Sequence, residues 1–121
     1  MIARTGYAEP VIESLDAAEA HEHAERLALA YESQLVVIAD RDILTARIEQ
    51  GTAERAIDRA RSHRNRTALV YWSHRLQAAH ADEATAAARY GEVCAAREAA
   101  RSELRAAVAE LERIRNQQAE R

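Results

Sequence analysis

The sequence predicts an all-α protein, either an elongated antiparallel helical hairpin or a three-helix bundle, with coiled-coil character and heptads near the C-terminus. Three observations carry this prediction. Only three Gly and one Pro occur in 121 residues, so the chain has few turn-forming residues. Ala occurs 29 times, and Ala, Glu, Arg and Leu are strong helix formers. Apolar residues also recur three or four positions apart along two long segments.

The first helix is expected over about residues 11–50, after a flexible N-terminal tail at 1–9. Pro10 suits the first turn of a helix, and Glu13 and Asp16 complement its positive end. Gly51 suits the position after a helix, and Thr52 can cap the next one. The turn is therefore predicted at 51–52, within one helical domain spanning 10–121.

The second helix is expected over about residues 53–118, and its continuity is left open. Asp82 can cap a new helix, and Gly91 costs about 1 kcal/mol inside one. Breaks near 81–84 or at 91 are the two alternatives to one unbroken helix.

Helix 1 carries apolar residues on two faces, and both faces must be buried against another helix. Leu27, Tyr31 and Ile38 are assigned to helix 2, with Tyr31 opposite Tyr71 and Trp72. The nearly opposite stripe needs either a third helix of this chain or another subunit or partner, and its residues are assigned to the protein interface: Leu29, Val36 and Ile43. A turn at 51–52 also leaves the end of helix 2 without an intrachain partner, and the heptad residues there join the predicted interface: Leu104, Val108, Leu111 and Ile114.

One strongly basic segment lies at residues 59–66, where the candidate nucleic-acid contacts are Arg59, Arg61, Arg64 and Arg66. Because arginine guanidinium groups bind phosphates, a small helical nucleic-acid-binding regulator is the alternative function. The formal net charge of −3 works against phosphate binding by the chain as a whole.

The stretch 34–44 can be interpreted as a strand that ends in catalytic acids, Asp40 and Asp42. No further strands accompany it, so the helical interpretation is preferred, with Asp42 pairing with Arg61 or Arg64. A metal-binding helical bundle is the third function considered, because a turn at Gly51 brings together Glu19, His23, His80 and Glu83. Cys94 is interpreted as a small core residue.

These observations predict a non-enzymatic helical self-association module that acts as a scaffold, adaptor or assembly component. Its expected partner is a second copy or another helical protein, with nucleic acid as the alternative and no membrane. No catalytic residue, cofactor or metal ligand is assigned. A single Cys and the lack of a long apolar run at the N-terminus indicate a cytoplasmic protein.

Overall fold

Two long helices form a hairpin in the computed structural model, which describes residues 14–120. Helix α1 spans Leu15–Ser62 and helix α2 spans Arg66–Ala119. The two helices pack against each other, and the described residues include no strand. The prediction of an all-α helical hairpin is therefore confirmed, and a third helix is absent from this range. The predicted tail at 1–9 and the predicted helix start near 11 lie outside the described residues.

Helix α1 begins after an N-cap serine. The Ala17 N–H donates to Ser14 Oγ at 3.1 Å, and the Ala18 N–H donates to the Ser14 carbonyl at 3.1 Å. A capping hydroxyl of this kind satisfies a backbone donor that has no partner within the helix. Asp16 follows in the first turn, where its charge complements the helix dipole.

The chain reverses at residues 63–65, so the turn predicted at 51–52 is wrong. Arg64 adopts a left-handed conformation with φ of 53°. The Asn65 N–H donates to the Ala60 carbonyl at 2.8 Å, and the Arg64 N–H donates to the Arg61 carbonyl at 3.2 Å. This pair of bonds is the Schellman motif that ends a helix.

Asn65 also begins the second helix, because its side-chain Oδ1 accepts a hydrogen bond from the Ala68 N–H at 3.0 Å. Helix α1 continues through Gly51, which has no left-handed backbone that would demand glycine. Gly51 costs about 1 kcal/mol within a helix, but buried Ala46 and Ala53 on either side pack against α2. Helix α2 is likewise unbroken at 81–84 and at Gly91.

The helix–helix contact is lined mainly by alanine. Nine of the 14 buried hydrophobic residues in the described range are Ala, and four of them, Ala39, Ala46, Ala53 and Ala60, recur every seven positions along α1. Small side chains let two helices approach closely, but each buries little apolar surface.

The chain divides into two compact units. One unit comprises Tyr31–Glu98 and includes the turn; its core cluster contains Val36, Ala39 and Val93. The other comprises the described residues up to Ala30 together with those from Ala99 onward, and its cluster contains Ala18, Leu111 and Ile114.

Candidate functional site

The most exposed apolar surface of the Tyr31–Glu98 unit lies along α1. Its members keep between 46% and 69% of their surface exposed: Tyr31, Val37, Ile38, Leu44 and Ile48. We call these five residues the outer face of α1. At about 100° per residue, they spread over about 140° of the helix surface, centred opposite the midpoint between the buried Val36 and Ala39. The hairpin therefore buries alanines and leaves large aliphatic side chains in solvent.

The structure reverses the predicted assignment of the two α1 faces. Val36 is 7% exposed within the hairpin, and Leu29 and Ile43 are half-buried on the same side. Tyr31, which was predicted to pack against Tyr71 and Trp72, is 63% exposed. The stripe assigned to a partner lies on the same side of α1 as the buried alanines and packs within the chain, and the stripe assigned to helix 2 is in solvent.

The C-terminal heptad residues also lie within the hairpin. Leu111 and Ile114 are buried against Ala18, with Leu15 packed beside them, while Leu104 and Val108 are half-buried. These four residues were predicted to lack an intrachain partner. The longer α1 and the later turn supply one, namely the first turns of α1. Arg115 Nη2 also lies 3.2 Å from Glu19 Oε2 across the same contact.

A polar layer interrupts the alanine-lined contact in the middle of the Tyr31–Glu98 unit. Arg47 Nε donates to Glu83 Oε2 at 2.8 Å, and Gln50 Nε2 donates to Glu83 Oε1 at 2.7 Å. These two hydrogen bonds, the stronger effect coming from Gln50, hold the pKa of the Glu83 carboxyl below its ordinary value of 4.5. The layer links α1 to α2 at the solvent-facing edge of their contact, where the Arg47 side chain is 63% exposed.

The metal-site hypothesis is not supported by the structure. Glu83 hydrogen-bonds to Arg47 and Gln50, and Glu19 pairs with Arg115, so neither carboxylate is free to bind a metal. Among residues 14–120, no three His, Cys, Asp or Glu side chains are arranged to hold a metal ion. Asp42 does not pair with Arg61 or Arg64 as predicted; it lines a surface groove beside Arg89.

Cys94 occupies the position predicted for it. It is half-buried and packs against the Val36, Ala39 and Val93 cluster together with Leu35 and Tyr90. Its neighbours are mostly apolar, as expected of a small core residue.

The basic segment forms the end of the hairpin. We call residues 59–66 the hairpin tip: Arg59 and Arg61 end α1, Arg64 lies in the turn, and Arg66 begins α2. All four side chains are exposed, and within the described residues none of them forms an ion pair with a carboxylate. The sequence predicted that this segment lies along a helix, whereas in the structure its four arginines surround the turn at 63–65.

Open grooves lie on two sides of the tip. One, of about 420 Å³, is lined by Arg61, Arg64, Asn65 and Arg66 together with Ala60 and Leu69. The other, of about 240 Å³, has Arg59, His63 and Trp72 among its lining residues. Tyr71 and Trp72 meet edge to face with ring centroids 5.1 Å apart, and Tyr71 is 54% exposed.

The outer face of α1 is the feature that sequence reasoning missed. The seven-residue spacing of Ala39, Ala46, Ala53 and Ala60 is visible in the sequence and marks the side of α1 that packs in the hairpin. If these four alanines are treated as core positions, Tyr31 and Ile38 fall on the exposed side of α1.

No protein-family model, curated protein or solved structure matches the chain. No helix in the described range is long and apolar enough to cross a membrane.

Proposed function

We propose that the chain is a non-enzymatic helical self-association module, which serves as a scaffold, adaptor or assembly component in the cytoplasm. The observation that carries this proposal is the inverted distribution of apolar side chains, with alanines inside the hairpin and Tyr31, Ile38 and Ile48 outside it. A second copy of the chain, seated on the outer face of α1, is the occupant we propose.

The size of the hydrophobic effect supports association. Complete burial of one Val, Leu or Ile side chain stabilises by roughly 1.5–3 kcal/mol, so covering the exposed half of each outer-face residue contributes roughly 1 kcal/mol. Because a two-fold dimer covers the outer faces of both copies, ten such residues contribute roughly 10 kcal/mol, which lies within the roughly 4–15 kcal/mol cost of bringing two molecules together. We therefore expect a reversible dimer that depends on protein concentration.

The arrangement of the outer face supports an antiparallel dimer. Tyr31 and Ile48 mark the two ends of the face, about 25 Å apart at 1.5 Å per residue. A two-fold axis near its centre places Tyr31 of one copy against Ile48 of the partner, and Ile38 against the partner's Arg41. Arg41 also lies next to Asp42, so positive and negative charges alternate near the centre and repulsion between the copies is small.

The same proposal includes antiparallel coiled-coil packing of α1 against α2. Its support is the burial spacing: buried and half-buried residues recur alternately three and four positions apart along both helices, which is the heptad period. In α2 the period includes Ala79, Ala86 and Val93.

Sedimentation velocity over a series of protein concentrations tests the proposal. The wild-type chain is expected to shift from monomer to dimer as concentration rises, and Ile38→Glu is expected to remain monomeric. Ala88→Glu is the matched control, because it introduces the same charge at an exposed position of α2. Circular dichroism checks that both variants stay helical. A wild-type chain that is monomeric at every concentration overturns the proposal.

A further inference from the structure

The arginines of the hairpin tip differ from other arginines in the chain. Arg26, Arg47 and Arg113 pair with Glu22, Glu83 and Glu110, respectively. The four tip guanidinium groups make no such pair within the described residues, and all four side chains are exposed. Unpaired, solvent-facing guanidinium groups are available to bind an external anion.

Charge is also segregated along the chain. Residues 54–75 contain six Arg against only Glu54 and Asp58, whereas residues 14–53 contain three Arg against eight carboxylates. A polyanion is therefore attracted to the tip and repelled by the rest of α1. This segregation removes the objection that the net charge of −3 disfavours phosphate binding.

The first turn of α2 carries a positive charge, which is unfavourable next to the positive end of the helix dipole but favourable for binding phosphate. It contains no acidic residue, and Arg66 lies at the positive end of the helix dipole. The Arg66 and Thr67 N–H groups have no carbonyl partner within the helix, because the first residues of a helix lack one. A phosphate in the groove lined by Arg61, Arg64 and Arg66 would meet their guanidinium groups next to this positive helix end.

Aromatic side chains next to the tip indicate the class of polyanion. Tyr71 is 54% exposed, its ring meets Trp72 edge to face, and Trp72 lines the groove that also contains Arg59 and His63. Aromatic rings beside a basic groove stack on unpaired bases, which a duplex does not present. We propose that the hairpin tip binds single-stranded nucleic acid, with Arg59, Arg61, Arg64 and Arg66 on the phosphates and Tyr71 against a base.

Fluorescence anisotropy with a labelled oligonucleotide of about 20 nucleotides, as DNA and as RNA, tests this proposal. With four phosphate contacts, the logarithm of the binding constant is expected to fall with the logarithm of salt concentration with a slope of about −3. A duplex of the same length is expected to bind more weakly, and the stronger of the two single strands identifies the sugar preferred.

Two double variants distinguish binding by the tip arginines from a general effect of positive charge. Arg61→Ala with Arg66→Ala is expected to weaken binding about tenfold or more and to reduce the salt slope to about −1.5. Arg26→Ala with Arg113→Ala removes the same charge from arginines already paired with carboxylates, and binding is expected to stay unchanged. Tyr71→Ala is expected to weaken binding several-fold while leaving the salt slope unchanged, because stacking releases no counterions.

Three outcomes would overturn the proposal. The first is no binding of either single strand by the wild-type chain at about 50 mM salt. The second is equal weakening by the two double variants, which would mean that the tip has no special role. The third is binding to vesicles containing phosphatidylserine without binding to either oligonucleotide, which would identify a membrane surface as the ligand instead. Circular dichroism of each variant excludes unfolding as the cause.

Discussion

Arg64 carries the most unusual backbone conformation in the described chain. Its φ of 53° is the left-handed conformation that ends α1, a position that glycine occupies without steric cost. Arg64→Gly is therefore expected to raise the free energy of unfolding by about 1 kcal/mol.

Urea unfolding followed by circular dichroism measures this effect. Arg59→Gly serves as the control, since Arg59 is an exposed tip residue within α1 and glycine there should destabilise the helix. A loss of stability in Arg64→Gly would contradict the role assigned to the turn. Because this substitution also removes a tip guanidinium group, Arg64→Gly is expected to bind nucleic acid more weakly although its fold is more stable.

Gly91 is a second residue at which the backbone conformation determines how a substitution changes stability. It lies within α2 on the exposed surface, and a Cβ added there would meet nothing within 4 Å. Gly91→Ala is expected to stabilise the chain by about 1 kcal/mol, because alanine loses less backbone entropy in a helix.

Thermal unfolding provides the measurement for this substitution. The reverse change at a neighbouring exposed position, Ala88→Gly, is expected to destabilise by a similar amount. Equal melting temperatures for Gly91→Ala and the wild-type chain would mean that α2 is not helical at this position.

At the scale of the helices, the polar layer around Glu83 links stability to pH. Its carboxyl pKa is below 4.5 in the folded chain, because Gln50 and Arg47 hydrogen-bond to the ionised form. The stabilisation is present above the unfolded pKa and is lost as pH falls below 4.5 through the folded pKa. Glu83→Gln is therefore expected to lower stability at neutral pH and to lose less stability on acidification than the wild-type chain.

Urea unfolding at neutral and at acidic pH checks this expectation. Glu92→Gln, at an exposed position of the same helix, is the matched control and should follow the wild-type pH profile. If Glu83→Gln and Glu92→Gln give identical pH profiles, the polar layer contributes nothing to stability.

The helical class of this fold was predictable from sequence, and its turn was not. Few Gly and Pro, abundant Ala and a three-or-four spacing of apolar residues together favour two helices. The turn was predicted at 51–52, and not at 63–65, because Gly51 was interpreted as the residue that follows the end of a helix. The actual helix end uses Arg64 in a left-handed conformation and Asn65 as a cap, within a segment that was interpreted by its charge.

Two separate errors explain the wrong interface residues. The misplaced turn left Leu111 and Ile114 without an intrachain partner, and the low weight given to the α1 alanines assigned the Val36 side of the helix to a partner, although these residues pack within the chain. The four arginines of the basic segment are visible in the sequence, but their position around a turn depends on a hydrogen-bond pattern that the sequence alone did not reveal.

At the scale of the whole molecule, two neighbouring residues of α1 should respond differently to the same substitution. Val36→Glu places a charge in the hairpin core and is expected to destabilise the fold by about 3 kcal/mol or more. Ile38→Glu places the same charge on the outer face, 46% exposed, and is expected to preserve the fold while abolishing dimerisation.

Thermal unfolding and sedimentation of the two variants separate folding from assembly. Ile38→Glu is expected to melt as the wild-type monomer does, whereas Val36→Glu is expected to melt at a much lower temperature. The opposite order of melting temperatures would contradict the face assignment made from the structure.

Disulfide cross-linking between two copies tests most directly whether a second chain covers the outer face of α1. In a Cys94→Ser background, chains carrying Tyr31→Cys are mixed with chains carrying Ile48→Cys and oxidised. If a second chain covers the outer face, this mixture is expected to form a disulfide-linked heterodimer much faster than a mixture of Tyr31→Cys with Ala88→Cys chains. Equal rates for the two mixtures, or no heterodimer in either, would contradict the proposed dimer.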